Sequence, residues 1–533
     1  MDIEFFLERL GEFSGNRSAK EGQEIAFLAH QLWAIYSDLE KENLITLAKI
    51  LAGIDTKCSL TSFYKYYFLS KILNDSKIYE EAFRHWKELH VTENPFHNAK
   101  DLALHESVIF KNDPFIAEMT TEDHVLYKHE LYYNTVAQLE KKISESNIVI
   151  KKDFELNRKA VVLAAQLIGV NHGPTRSALT IAKLLKEIHG FDVLVISALE
   201  AVVLESGTFL PLMEMSVVEQ YSQSNSIEFL GTKLKLFQSS ENCFNLKSIK
   251  DTLSKIDEFD PSLIVSTSMF NFTAELVGKA RYVVRYPTGS GLPFIVNNNF
   301  IPRTVPTEHE RLIMEKFNFT DKYLFTMYPG FYPQPKTDPL DLSIYGIPEG
   351  AFVFCIVSTR LNIEFTKDYK NLLKKLIKNN DVYVLCAGKG FADDFYTDYP
   401  ELVGRVKYIG YLKAVSALYQ SCNAYINISK HGGGGSIVYA MGDGLPALSF
   451  PEGDAGQAVE GFPVIESFEH MLMIAERLVN DDVFYVKWKE MTKERCKDLF
   501  TRDKYVASIV NEFEKYALSH EEDLNEYTIP EAS

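Results

Sequence analysis

Along residues 1 to about 150 the apolar positions recur at helical spacing. Ile25, Leu28, Leu32, Ile35 and Leu39 form one stripe, and Leu44, Leu47 and Leu51 continue the pattern. Phe63, Tyr66, Tyr67, Leu69 and Leu73 make a second cluster. Ile78, Ala82, Trp86 and Leu89 make a third, and residues 125–143 a fourth. Pro95 is the one proline between residues 1 and 113, and glycine is scarce there, so little interrupts a helix. The pattern predicts an all-helical N-terminal domain over residues 1–150, resembling stacked hairpins but with no repeat of fixed period. The plainest use of such a domain is as a scaffold or interaction module.

From Lys159 onward the pattern changes to short apolar runs separated by turns. Ala160–Gly169 is a nearly all-apolar run of strand length, followed by the turn Asn171–Thr175 and a helix from about Arg176 to Ile188. Phe191–Ser197, Pro261–Ser268 and Ala280–Pro287 read as further strands. Strand, turn, helix and strand in that order start an α/β unit with a parallel sheet. Phe325–Pro348, rich in Pro, Gly and Tyr, reads as a linker. A second series follows, with strands at Ala351–Thr359, Val382–Gly388, Val406–Leu412, Ala424–Ser429 and Ala447–Pro451, and helices at about Lys367–Lys378 and up to Cys422. From Phe468 the chain is helical, and it closes on an acidic tail. The expected domains are residues 1–150, 151–330, 331–517 and a tail at 518–533. Two α/β halves joined by a linker form a cleft, and in such sheets ligands sit beyond the carboxyl ends of the strands.

Composition narrows the partners. The chain has 533 residues, 46% hydrophobic and 24% charged, which is ordinary globular usage and excludes collagen-like or wholly disordered readings. Its net charge of −17 opposes a nucleic-acid partner, which needs a basic field to replace phosphate counterions. Cys58, Cys243, Cys355, Cys386, Cys422 and Cys496 include no close pair with zinc or redox spacing, and reduced thiols point to the cytoplasm. The start, MDIEFFLERLGEF, is acidic and amphipathic, unlike a signal peptide, and no apolar run is long enough to span a bilayer.

Three loops carry candidate chemistry. Lys430–Pro446 holds four consecutive glycines between an expected strand and an expected helix. Glycine lets backbone N–H groups approach an anion closely, and a helix N-terminus adds partial positive charge, so His431, Gly432, Gly433, Gly434, Gly435 and Ser436 are candidates for holding a diphosphate. No GK[ST] follows, so this is not a P-loop, and neither half opens on a GxGxxG fingerprint. A flexible turn without a ligand is the plainer alternative. Ser358–Leu373 puts Arg360 and Lys367 at a strand end and a helix start, where a cationic fork and a point charge would neutralise a leaving diphosphate; the alternative is a solvated face. Asn171–Ser177 brings His172, Gly173 and Thr175 to the first strand–helix loop, with His172 a base or a ligand to a substrate hydroxyl, or a structural histidine.

These segments carry a family resemblance. The chain resembles the GT-B glycosyltransferases. Tyr439–Phe450 (YAMGDGLPALSF) is similar to the EAMAxGLP segment of family 4, and Ser358–Leu373 to that family's Arg and Lys diphosphate segment, with a longer gap. The turn NHGPT, Ile344–Cys355 and Leu499–Tyr516 resemble family 41, which contains the O-GlcNAc transferases and the bacterial adhesin N-glucosyltransferases. The resemblance covers residues from about 155 to 517, and a helical domain ahead of the GT-B pair is the arrangement of the bacterial N-glucosyltransferases. It implies two Rossmann-like halves, with a nucleotide-sugar held mainly by the second. It also implies that Tyr411 and Lys413, in the loop Tyr408–Lys413, lie where such enzymes grip the base. Family 4 members carry a Glu on each side of the glycine loop; here those positions are His431 and Tyr439. The ribose then falls to Asp443, Glu452 or Asp454.

The expected function is transfer of a hexose of glucose or GlcNAc type from a UDP-sugar to a protein or glycan acceptor. The UDP-sugar is a co-substrate, no cofactor is required, and Arg360 and Lys367 stand in for a metal, since no DxD-type pair lies beside a nucleotide loop. The N-terminal helices would recognise the acceptor or a partner protein. Alternatives are a retaining glucosyltransferase that extends a glycan already on a protein, and a non-catalytic GT-B partner subunit, which His431 and Tyr439 in place of carboxylates would suit. A UDP-sugar epimerase fits the fold but not the long helical domain.

Overall fold

The computed structural model describes residues 3–12, 24–25, 28–29, 32, 39, 41–90, 94–105, 119–148, 150, 156–170, 172–200, 218–287, 292–296, 299–302, 308–319, 324–325, 331, 333–358, 361–378, 381–388, 395–397, 399–428, 434–500, 504 and 506–515. The chain divides into two compact units, Met1–Phe325 with Glu512–Ser533, and Thr326–Asn511.

The first unit opens with helices, among them Lys41–Gly53, Ser59–Leu73, Ser76–Leu89, Pro95–His105 and Glu122–Glu145. Apolar stripes dictate their packing. Tyr79, Ala82, Phe83, Trp86 and Leu89 bury one face of Ser76–Leu89, and Asp75 caps its start by accepting the Lys77 and Ile78 amides. A sheet follows, with strands β1 (Lys159–Ala164), β2 (Asp192–Ser197), β3 (Ser226–Phe229), β4 (Thr232–Gln238), β5 (Leu263–Ser266), β6 (Tyr282–Arg285), β7 (Asn299–Pro302) and β8 (Leu324–Phe325). Their order is β3-β4-β2-β1-β5-β6-β7-β8. All pairings are parallel except the β3–β4 hairpin.

The helices and this sheet share one core, in which Tyr132, Val136 and Leu139 join Val161, Leu163, Phe272 and Phe294. The Glu122–Glu145 helix packs on the helices Phe272–Gly278 and Glu308–Lys316. The Tyr132 ring lies 4.9 Å from Phe272 and 5.3 Å from Phe294, and its hydroxyl donates to the Asn271 carbonyl at 3.1 Å and to Glu275 at 3.2 Å. The helical stretch and the first sheet are thus one compact body, and the segment from Glu512 joins them. Phe513 meets the rings of Phe191 and Tyr282, and Glu514 pairs with Arg158 at 2.9 Å. Deleting residues 1–150 would bare Phe272 and Phe294 and strip Glu275 of a hydroxyl donor. Such a truncation is expected to aggregate, read as loss of soluble monomer by light scattering; a monodisperse, folded truncation would show that the sheet stands alone.

Beneath that contact lies a buried polar network. Arg285, wholly buried at the end of β6, donates to Ser266 Oγ, the Asn271 carbonyl and the Phe294 carbonyl at 3.1, 3.3 and 3.0 Å. Glu200, just past β2, accepts the Phe272 and Thr273 amides at 2.7 and 2.8 Å and so caps the Phe272–Gly278 helix. Burial outweighs those bonds and the nearby Arg285, and raises the Glu200 pKa to about 7. A folded value above the ordinary 4.5 contributes stability that is whole below pH 4.5 and lost as the pH rises to about 7. The size is on the order of 3 kcal/mol. His124 and His172, lowered to about 4 by burial, act oppositely, losing their contribution as the pH falls from 6.5 to 4. Glu200→Gln isolates the first effect. The stability of the parent minus that of Glu200→Gln, measured by urea unfolding, is expected to fall between pH 4.5 and 7, and a flat difference would refute the shift.

The second unit holds a five-stranded, all-parallel sheet. Its strands are β9 (Phe352–Ser358), β10 (Val382–Gly388), β11 (Val406–Tyr408), β12 (Ala424–Ile426) and β13 (Ala447–Leu448), in the order β11-β10-β9-β12-β13. β10, β12 and β13 are wholly buried and nearly all apolar, as strands covered on both faces require, while β11 at the sheet edge is open at Tyr408. Two separate cores flank it, one including Phe354, Ile356, Leu372 and Trp488, the other Val353, Cys355, Ile437 and Met441.

Several strands are shorter than their apolar runs predict. β1 ends at Ala164 where the run continues to Gly169, β11 at Tyr408, β12 at Ile426 and β13 at Leu448. Past β1, β12 and β13 apolar side chains stay buried in the loop that leaves the strand, as Leu167, Ile428 and Phe450 do, whereas past β11 Ile409 and Leu412 are half-buried and Tyr411 is exposed. Apolarity reports burial, not backbone pairing. All six cysteines are free thiols. Among the described residues no helix is long and apolar enough to cross a membrane.

Candidate functional site

In the second unit the strand order reverses beside β9. β10 and β11 lie on one side of it, β12 and β13 on the other. Such a reversal opens a crevice at the carboxyl ends of the two central strands, because their outgoing connections run to opposite faces. β9 and β12 are paired in register Ala424↔Phe354 and Tyr425↔Cys355. The two segments singled out by sequence therefore leave adjacent strands, the cationic one after β9 and the glycine run after β12.

After β12 the chain enters the helix Gly434–Gly442. Its first-turn amides, those of Gly434, Gly435 and Ser436, have no intrahelical acceptor and carry the positive end of the helix dipole. Two buried tyrosines anchor this turn from below. The Tyr419 hydroxyl donates to the Ser436 carbonyl at 3.1 Å, and the Tyr425 hydroxyl bonds to the Ser436 side chain. Gly434 is buried; Gly435 and Ser436 are half-buried. Tyr439 is half-buried with its ring edge-on to Phe331 at 6.0 Å, so it packs within the second unit. His431, Gly432 and Gly433 lie outside the described residues.

After β9, Arg360 likewise lies outside the described residues. Lys367 is the exposed first residue of the helix Lys367–Leu376, which Thr366 caps. Tyr411 and Lys413 are exposed in the loop after β11. Of the ribose candidates, Asp443 is half-buried, and its pKa is raised by burial against the opposing pull of Ser416 and Lys336. Glu452 is exposed ahead of the helix Gly453–Ala458, and Asp454 sits in that helix, its side chain outside the described set.

The sheet edge holds polar residues that the sequence reading passed over. Asn427, buried one residue past β12, bonds through its amide group to Ser449 Oγ at 3.3 Å, and its carbonyl accepts from Tyr369 at 3.2 Å. Glu364 is also buried; burial raises the hydroxyl pKa of Tyr369 and of Tyr425, and the nearby Glu364 carboxyl adds to both. A signal was available in the sequence, since Asn427 and Ser449 are polar breaks at the carboxyl ends of apolar strands. At the same edge Gly388 adopts φ +136° and closes against Ser358.

In the first unit the reversal falls beside β1, between β2 and β5. His172, Gly173 and Thr175 follow β1. Gly173 and Pro174 begin the helix Gly173–Glu187, with His172 at its N-cap, so the helix starts earlier than the expected Arg176. Gly173 is exposed. Thr175 is fully buried; its Oγ1 accepts the Ile168 amide at 3.0 Å and lies 3.1 Å from His172 Nδ1. Burial lowers the His172 pKa to about 4, so the ring is neutral near pH 7.

The sequence matches no protein-family model and no curated protein. Among solved structures, the chain is similar to a glycosyltransferase from Rickettsia africae, at 13% identity over 68% of this chain and 99% of that one, with a TM-score of 0.48. It is similar to HepE from Anabaena in complex with UDP and glucose, at 15% identity over 66% and 100%, with a TM-score of 0.47. A mutant of the Thermobaculum terrenum O-GlcNAc transferase matches over 96% of both chains, at 10% identity and a TM-score of 0.44. This chain's own layout is a helical region followed by two Rossmann-like sheets, the first parallel but for one hairpin and the second wholly parallel.

Proposed function

We propose that the chain is a glycosyltransferase that moves a hexose, of glucose or GlcNAc type, from a UDP-sugar to a protein or glycan acceptor. The observation that carries this reading is the strand reversal of the second unit, where a glycine run leaves β12 and enters the Gly434–Gly442 helix beside the end of β9. The first-turn amides of that helix hold the diphosphate. Arg360 and Lys367 offset the negative charge that grows on the leaving group, which is the work a metal would otherwise do. Tyr411 and Lys413 meet the base, and Asp443, Glu452 or Asp454 the ribose. His172 meets the sugar or the acceptor, and the N-terminal helices recognise the acceptor. Six free thiols suit a reducing compartment such as the cytoplasm.

A partner subunit without activity is the second reading, favoured by His431 and Tyr439 where family 4 enzymes carry carboxylates. Thermal shift with UDP, UDP-glucose and UDP-GlcNAc tests nucleotide binding, because a ligand of the native state raises Tm. Release of UDP from a labelled UDP-hexose then separates enzyme from silent subunit. A Tm that no uridine nucleotide moves counts against the transferase and fits a subunit that keeps the fold without the nucleotide site.

A further inference from the structure

The Thr175 hydroxyl can donate one hydrogen and accept two. It accepts the Ile168 amide, and its other neighbour is His172 Nδ1, 3.1 Å away. Thr175 is fully buried, so water does not reach the group. Among the described residues no other acceptor is bonded to it. Two arrangements of the proton between the side chains are then open. If Nδ1 carries hydrogen and donates to Thr175, the threonine O–H points into a buried space with nothing to receive it. If Thr175 donates to a bare Nδ1 lone pair, every donor is satisfied and the imidazole hydrogen sits on Nε2. An orphaned buried donor is costly enough to favour the second arrangement by ~10-fold or more.

We propose that Thr175 is a positioning residue that holds His172 as its Nε2–H tautomer, so that the ring offers a hydrogen-bond donor and not a base. The consequence for chemistry rests on the reading of the chain as a glycosyltransferase. His172 Nε2 then donates to an oxygen of a bound substrate and takes no proton from the acceptor hydroxyl. The lowered pKa agrees, since a ring that stays neutral keeps the single-hydrogen form. Neutral histidine held as a donor is a known way to polarise an oxygen without proton transfer. The N-cap position of His172 adds to this, because the positive end of the Gly173–Glu187 helix disfavours a second ring proton.

The experiment is nitrogen-15 NMR of the full chain labelled at histidine, with the His172 signals assigned from the His172→Gln variant. Ring nitrogens with and without hydrogen are well separated, so the tautomer is read directly and needs no activity. The parent is expected to carry its hydrogen on Nε2, and Thr175→Ser to do the same. Thr175→Val, close in shape but without the hydroxyl, should move a substantial fraction to Nδ1–H. An Nδ1–H parent overturns the proposal even if no variant folds, and so does an unchanged tautomer in a folded Thr175→Val. If a UDP-hexose is turned over, Thr175→Val should lower kcat ~10-fold with little change in the KM for the nucleotide-sugar, and Ser should restore it. Absence of turnover in the parent would count against the transferase reading and leave the NMR result standing.

Discussion

Gly435→Asp is expected to abolish UDP binding while leaving the fold intact. Gly435 is the second residue of the Gly434–Gly442 helix, and among the described residues a Cβ added there meets only Tyr439 Cε2, at 4.0 Å. The side chain therefore has room. An acidic residue in the first turn also suits the helix dipole, so stability should hold or rise slightly. Binding is another matter, because the new carboxylate would stand where the first-turn amides meet a diphosphate. Two like charges at ~4 Å repel by about 4 kcal/mol at an effective dielectric of ~20, a loss on the order of 10³-fold in affinity. Titration calorimetry with UDP, alongside a thermal melt, separates the two effects. A variant that melts like the parent and binds UDP equally well would remove the diphosphate from this helix.

The largest effect on stability is expected from Gly388→Ala. Gly388 ends β10 at φ +136°, a conformation that L side chains rarely adopt. A Cβ there would lie 1.6 Å from the Ser358 carbonyl oxygen and 2.6 Å from its carbon, both backbone atoms of the neighbouring strand. No side-chain rotation relieves such a contact, so β9 and β10 must part at their carboxyl ends. Gly388 is held there on both sides. Its amide donates to the Gly410 carbonyl and its own carbonyl accepts the Tyr408 hydroxyl, each at 2.9 Å. Strain and lost pairing together should exceed ~3 kcal/mol. The expected readout is early loss of the second unit's unfolding transition, with UDP binding lost as well. A melt within ~2 °C of the parent would mean that the strands do not approach as described.

The fold was largely legible because a parallel sheet writes itself as short apolar runs between turns. β1, β2, β9, β10 and β12 all stand where Val161, Leu194, Phe354, Val384 and Tyr425 mark them. The β3–β4 hairpin escaped because Thr232–Gln238 alternates buried and exposed residues, the pattern of a strand with one open face, and forms no long apolar run. The union of the helical stretch with the first sheet escaped for a different reason. It depends on Tyr132 reaching Asn271 and Glu275 across 139 and 143 residues, and hydrophobic period carries no record of such partners.

Of the candidate site, the part that depends on local sequence was readable directly, as in the glycine run that precedes the Gly434–Gly442 helix. The part that follows from topology was less so. That β9 and β12 are neighbours is a fact of strand order, and only then do Ser358 and Asn427 fall on one edge. Thr175 is the sharpest case. The loop Asn171–Ser177 suggests a residue that touches substrate, yet the side chain is buried beneath His172, which leaves it the work of orienting the ring.

The central claim is that the second unit grips a uridine diphosphate at the Gly434–Gly442 helix and that the whole chain uses that grip to release a hexose. The most direct measurement is incubation of the purified full chain with UDP-glucose or UDP-GlcNAc labelled in the sugar, with free UDP and free or transferred sugar followed over time beside Gly435→Asp. The account predicts UDP release from at least one donor by the parent, falling by two or more orders of magnitude in the variant. Equal release by both proteins, or a parent that neither binds UDP nor consumes either donor, would contradict it.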